Sequence, residues 1–105
     1  MRRTPYRIDP AIRREVMLRD KACFLSKVEP RHVCRDVWGV AHAPDLIDAL
    51  TLEHVHRDGS MMGKRAPSDA AHLLALCGMA NFMVPNRSQR DSMRAHLRAL
   101  YRAEA

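Results

Sequence analysis

The chain has 105 residues, of which 47% are hydrophobic, and 18 basic side chains against 12 acidic ones give a formal net charge of +6. That length suits one domain, burying roughly two-thirds of its unfolded surface. It is too short for a barrel enzyme or a full dinucleotide-binding fold, and the apolar content argues against disorder. Of the basic residues, 15 are Arg and 3 are Lys. Arg presents a planar fork that matches phosphate oxygens, which points to a nucleic-acid partner. A coding bias that enriches Arg and Ala together explains the same composition, so composition alone does not separate the two. Cys23, Cys34 and Cys77 form no even disulfide framework and include no Cys-x-x-Cys pair, which fits a reducing cytoplasm. The basic N-terminus MRRTPYRIDP has no apolar stretch behind it, so no signal peptide is expected. The longest run without charge or His, Leu73 to Met83, is far short of a membrane span. A soluble cytoplasmic protein without a membrane partner is the expectation.

Residues 1–8 read as a basic arm carrying Arg2, Arg3 and Arg7. Asp9-Pro10 is an N-cap followed by Pro at the first helical position. It predicts a helix over residues 9–20, with Ile12, Val16 and Met17 on one apolar stripe. Glu29-Pro30 signals a loop. Val33 to Val40 alternates enough to predict a short strand, and Leu46 to Leu50 is ambiguous between helix and strand. Leu52, His54 and His56 alternate with Thr51, Glu53 and Val55, which predicts a strand with two faces. Residues 57–68 form a polar loop punctuated by Asp58-Gly59, Gly63 and Pro67. Ser68 or Asp69 is a candidate cap for a helix through Leu73, Leu76 and Met79 or Ala80, ended by Pro85. Asn86 or Ser88 would cap a last helix over residues 86–103, with Met93, Leu97, Leu100 and Tyr101 on its apolar face. Arg90, Arg94, Arg98 and Arg102, preceded by Arg87, recur at steps of four opposite that face. They read either as a solvated face or as a phosphate-tracking stripe.

Three polar features stand out: Glu53-His54 on a strand, His72 ahead of an apolar run, and Asn81 nine positions later. Arg14 through Met17, Arg19, Asp20 and Cys23 lead into them. Together these residues resemble the HNH endonuclease family. That pattern is an Asp-His-Ile-like strand, a loop, and then Asn-Leu-x-x-Leu-Cys-x-x-Cys-His/Asn, here matched over residues 14–83. The resemblance implies an α+β fold: a ββα-metal core over residues 21–83, in which a two-stranded ribbon packs on one helix, flanked by N- and C-terminal helices. It implies a phosphodiester hydrolase acting on DNA. His54 would be the general base, whose near-neutral pKa suits that task. Glu53 and Asn81 would hold one divalent ion, Mg²⁺ or Mn²⁺, with open positions for phosphate and water. His72, where the family has Asn, would brace the loop and orient His54. Lys64 and Arg65, in the loop between them, and Arg87, Arg90, Arg94 and Arg98 would contact nucleic acid. Standalone domains of this length resemble phage proteins, some of which work beside the packaging terminase.

The family's two zinc-binding Cys-x-x-Cys pairs are each reduced to their first cysteine, at Cys23 and Cys77. Two thiolates do not close a tetrahedral site. His32 and Cys34 would complete one, but their spacing does not resemble the family's. The expectation is therefore no structural zinc, with Cys23 and Cys77 as a residual core pair and Cys34 unexplained. His56, on the same strand face as His54, reads either as a solvated loop-edge histidine or as one that assists phosphate or metal binding. Two other readings stay open: a catalytically weak or inactive HNH-like accessory module that binds DNA, and a basic helical regulator in which the motif match is accidental.

Overall fold

Asp9 begins the first helix as the sequence expects: its carboxylate accepts from the backbone N–H of Ala11 at 2.8 Å, with Pro10 at the first helical position. In the computed structural model, which describes residues 8–57 and 66–102, helix α1 spans Pro10–Asp20. It stops at Lys21, whose φ of 64° places a non-glycine residue in the left-handed region while its N–H closes on the Met17 carbonyl. Val16 and Met17 are buried. Helix α2 is the short Phe24–Val28 segment, and a 3₁₀ turn at Ile47–Ala49 leads into strand β1, Leu50–His54. A second 3₁₀ turn at Ala70–His72 precedes strand β2, Leu73–Cys77, then α3, Gly78–Phe82, and α4, Arg87–Leu100. The strands pair antiparallel, with Leu50 opposite Cys77, Leu52 opposite Ala75 and His54 opposite Leu73. The fold is α+β: helices around a two-stranded antiparallel sheet. Among the described residues no helix is long and apolar enough to cross a membrane.

The helix expected from residue 69 through Met79 or Ala80 is corrected to a strand and a short helix. Leu73, Leu74, Ala75 and Leu76 are all fully buried. A short apolar run covered on both faces carries no period that separates strand from helix. Asp69 precedes only the 3₁₀ turn and makes no side-chain capping bond; its carboxylate meets the His72 ring instead, at 2.7 Å. Leu74 to Cys77 join Met93 and Leu97 of α4 in the main core, while Leu73 packs with Val16 and Ala70.

The strand expected over Val33–Val40 is reduced to one isolated bridge between Arg35 and Ala41. Val33, Val37, Trp38 and Val40 are exposed, so no apolar face is gained by extending it. The Asp36 carboxylate gathers the Trp38 and Val40 N–H groups at 2.9 Å each, and Gly39 turns at φ 87°.

The final helix ends at Leu100, short of residue 103, and Asn86 is its cap. Asn86 and Gln89 exchange side-chain-to-backbone hydrogen bonds, forming a capping box. Met93 and Leu97 are buried as expected, but Leu100 is exposed.

Candidate functional site

Glu53 and His54 are neighbours on β1, and alternation turns their side chains to opposite faces. They still line one cleft of about 220 Å³, because His54 is the last residue of the strand and α4 closes over its end with Arg90, Met93 and Arg94. His56 lines the same cleft. Glu53 is held above the usual carboxylate range by burial, against the opposing pull of the Arg90 guanidinium. His54 Nε2 lies 2.9 Å from the Ser68 hydroxyl. When Nε2 carries the proton and donates there, the imidazole lone pair sits on Nδ1.

His72 is buried and reaches this strand end through its backbone: its carbonyl accepts from the Val55 N–H at 2.8 Å. The turn bearing Ser68, Asp69 and His72 therefore adjoins the segment just after β1.

Asn81 lies on α3 against the middle of β1. Its Nδ2 donates to the Thr51 hydroxyl at 2.9 Å and to the Leu52 carbonyl at 3.2 Å. The Thr51 hydroxyl spends its own proton on the Leu76 carbonyl at 2.9 Å, so toward Asn81 it only accepts. This fixes the amide with its nitrogen toward the strand, leaving Oδ1 as the atom able to take a cation.

The arginine stripe of α4 does more than face solvent. Arg94 Nε donates to the His56 carbonyl at 2.8 Å and Arg98 Nε to the Arg57 carbonyl at 2.7 Å. These two side chains clamp the chain as it leaves β1, a role invisible in their spacing. Arg87 and Arg90 are exposed. Lys64, Arg65 and the basic arm through Arg7 lie outside the described residues.

A second constellation corrects the expectation of no structural zinc. Cys23, His32, Cys34 and Cys77 bring their donor atoms within 4.8 Å of one another. Three sulfurs and an imidazole are a donor set typical of zinc sites. Cys23 precedes α2, Cys77 ends β2, and His32 and Cys34 come from the intervening loop. His32 Nε2 lies 3.7 Å from Cys23 Sγ and 3.5 Å from Cys77 Sγ. Burial raises the Cys23 thiol pKa; burial and the adjacent Cys23 and Cys77 sulfurs raise that of Cys34. Burial lowers that of the His32 imidazole. Crowded, buried thiols resist ionisation on their own, and a bound cation reverses that balance. Cys23 and Cys77 are close together as expected, but two further donors, His32 and Cys34, complete the set in place of the missing cysteines. No chain-local pattern identifies them, because the four positions are separated by nine, two and forty-three residues.

No family model, no curated protein and no solved structure matches this chain.

Proposed function

We propose that the protein is a metal-dependent endonuclease that hydrolyses DNA phosphodiester bonds at the β1 end, within a ββα-metal core formed by β1, β2 and α3. The observation that carries this reading is the convergence of Glu53, His54, Arg90 and Arg94 on one cleft, with Asn81 fastened to the same strand. The Glu53 carboxylate and Asn81 Oδ1 are hard oxygen donors, which suit Mg²⁺ or Mn²⁺. A bound divalent ion would supply charge neutralisation at the phosphate and at the departing oxygen. His54 accepts the proton of the attacking water as the new P–O bond forms. The bond to the leaving sugar oxygen then breaks, and that oxygen takes a proton from solvent. Ser68 orients the His54 ring, while the guanidiniums lining the cleft offer charge to the phosphate oxygens.

A plasmid-nicking assay with Mg²⁺ or Mn²⁺ tests the reading. Nicking should disappear in His54→Ala. A variant that nicks as fast as the wild type removes His54 as the base.

A specific observation favours a second reading, an accessory DNA-binding module without cleavage. Arg90 already faces Glu53 electrostatically, so a cation at this carboxylate competes with a resident one. Salt-dependent DNA binding with no nicking under any divalent ion selects this reading over the first.

A further inference from the structure

We propose that Cys23, His32, Cys34 and Cys77 enclose one zinc ion as a closed structural site, and that this ion locks the loop after α2 onto the corner between β2 and α3. The inference does not depend on the nuclease reading.

Geometry is the first support. Zn–S bonds of about 2.3 Å and Zn–N bonds of about 2.0–2.1 Å at a tetrahedral angle separate S from N by about 3.5–3.6 Å. The two S···N separations, 3.7 and 3.5 Å, match this. No donor pair exceeds 4.8 Å, so shifts of about 1 Å at most bring every pair to the roughly 3.5–3.8 Å expected between zinc-bound donors.

Chemistry is the second. All three sulfurs are buried. A disulfide would use two of them and leave the third sulfur and the imidazole unexplained. Soft thiolates select zinc over the hard cations suited to Glu53 and Asn81. Four protein ligands fill a tetrahedron and leave no position for water, which makes the site structural rather than catalytic. The Cys77 N–H already points at Cys23 Sγ at 3.3 Å, the kind of donor that stabilises a zinc-bound thiolate.

Connectivity gives the consequence. The loop carrying His32 and Cys34 packs directly against the start of α3. The Arg35 carbonyl accepts from the Met79 N–H at 2.9 Å. A Cβ at Gly78 would meet both Val37 N and Val37 Cγ1 at 3.3 Å, tighter than ordinary van der Waals contact, so a side chain there would push the loop and the start of α3 apart by a few tenths of an ångström. Asn81 lies three residues beyond Gly78. The ion would thus hold the first turn of the helix that presents Asn81, without touching the β1 cleft.

Elemental analysis of the full chain purified without chelator should find one zinc per chain. Cobalt(II) substitution should give the strong visible absorption of a tetrahedral site together with thiolate charge-transfer bands. Cys34→Ser and His32→Ala should each lose stoichiometric zinc, while His42→Ala, in the same loop, keeps it. Hydrogen exchange at the Cys77 and Met79 amides should accelerate when zinc is stripped. Zinc far below one per chain with a weak octahedral cobalt spectrum overturns the site. So does full zinc retention in both ligand variants. Should those variants fail to fold, the cobalt spectrum of the wild type still decides. Unchanged exchange at Met79 after zinc removal overturns the coupling to α3.

Discussion

Asn81 is tethered to Thr51 through a hydroxyl that has no second proton to give. Asn81 Nδ2 donates to Thr51 Oγ1 at 2.9 Å, and Oγ1 donates onward to the Leu76 carbonyl across the sheet. The orientation of the Asn81 amide therefore depends on a residue that would not itself touch metal or DNA.

Thr51→Val keeps the shape of the side chain and removes the tether. One lost hydrogen bond should cost about 1 kcal/mol of stability. Nicking should fall by about 10- to 100-fold, the usual effect of removing a partner that orients a metal ligand. Thr51→Ser should restore it. Chemical denaturation beside the nicking assay separates the two effects; an unchanged nicking rate in Thr51→Val shows that the tether is not used.

Asp20 is buried and holds Arg19 by two contacts, at 2.6 and 3.0 Å, while accepting the Ala75 N–H at 2.9 Å. Arg19 in turn donates to the Ala70 and Leu73 carbonyls and to the Tyr101 hydroxyl. Asp20→Ala removes the only carboxylate facing the largely buried Arg19 guanidinium among the described residues and leaves the Ala75 N–H without its acceptor, and should destabilise the protein by about 3 kcal/mol. Asp20→Asn keeps an acceptor for Ala75 and should cost less. Urea melts of the two variants check the order.

Burial raises the pKa of Glu53 in the folded protein, so the folded state binds its proton more tightly than the unfolded chain does. Stability therefore declines as pH climbs from the ordinary Glu value of about 4.3 through the raised folded value. Glu53→Gln should be more stable than the wild type at neutral pH without divalent ions, and equal to it below the ordinary value. The same variant should lose nicking. Melting temperatures across this pH range test the sign; a variant that is less stable at neutral pH contradicts it.

Arg87 is exposed and makes no hydrogen bond among the described residues, whereas Arg98 holds the Arg57 carbonyl. If α4 tracks phosphates, Arg87→Ala should weaken DNA binding and lower the salt slope by about one, with stability changed by less than about 0.5 kcal/mol. Arg98→Ala should lower both affinity and stability, by about 1 kcal/mol for the latter. Salt titrations of DNA binding, paired with melts, distinguish them.

The two long helices were legible because their signals are local. Asp9-Pro10, the Asn86–Gln89 box and the spacing of Met93 and Leu97 act within a few residues of chain. Strand β2 was not legible, because its pattern comes from burial on both sides by α1 and α4, elements distant in sequence. Val33 to Val40 misled in the opposite direction, since alternation without a covering layer leaves its apolar side chains in solvent.

The same division runs through the two candidate sites. Sequence by itself determined the capped helices, the Glu53-His54 pair on a strand and the basic charge on α4, because each follows from residue type and short-range period. Only the tertiary structure decided that Thr51 orients Asn81, that Arg94 and Arg98 clamp the end of β1, and that His32 and Cys34 join Cys23 and Cys77. A four-donor cluster needs proximity in space but no fixed spacing in the chain, so the fold alone assembles it.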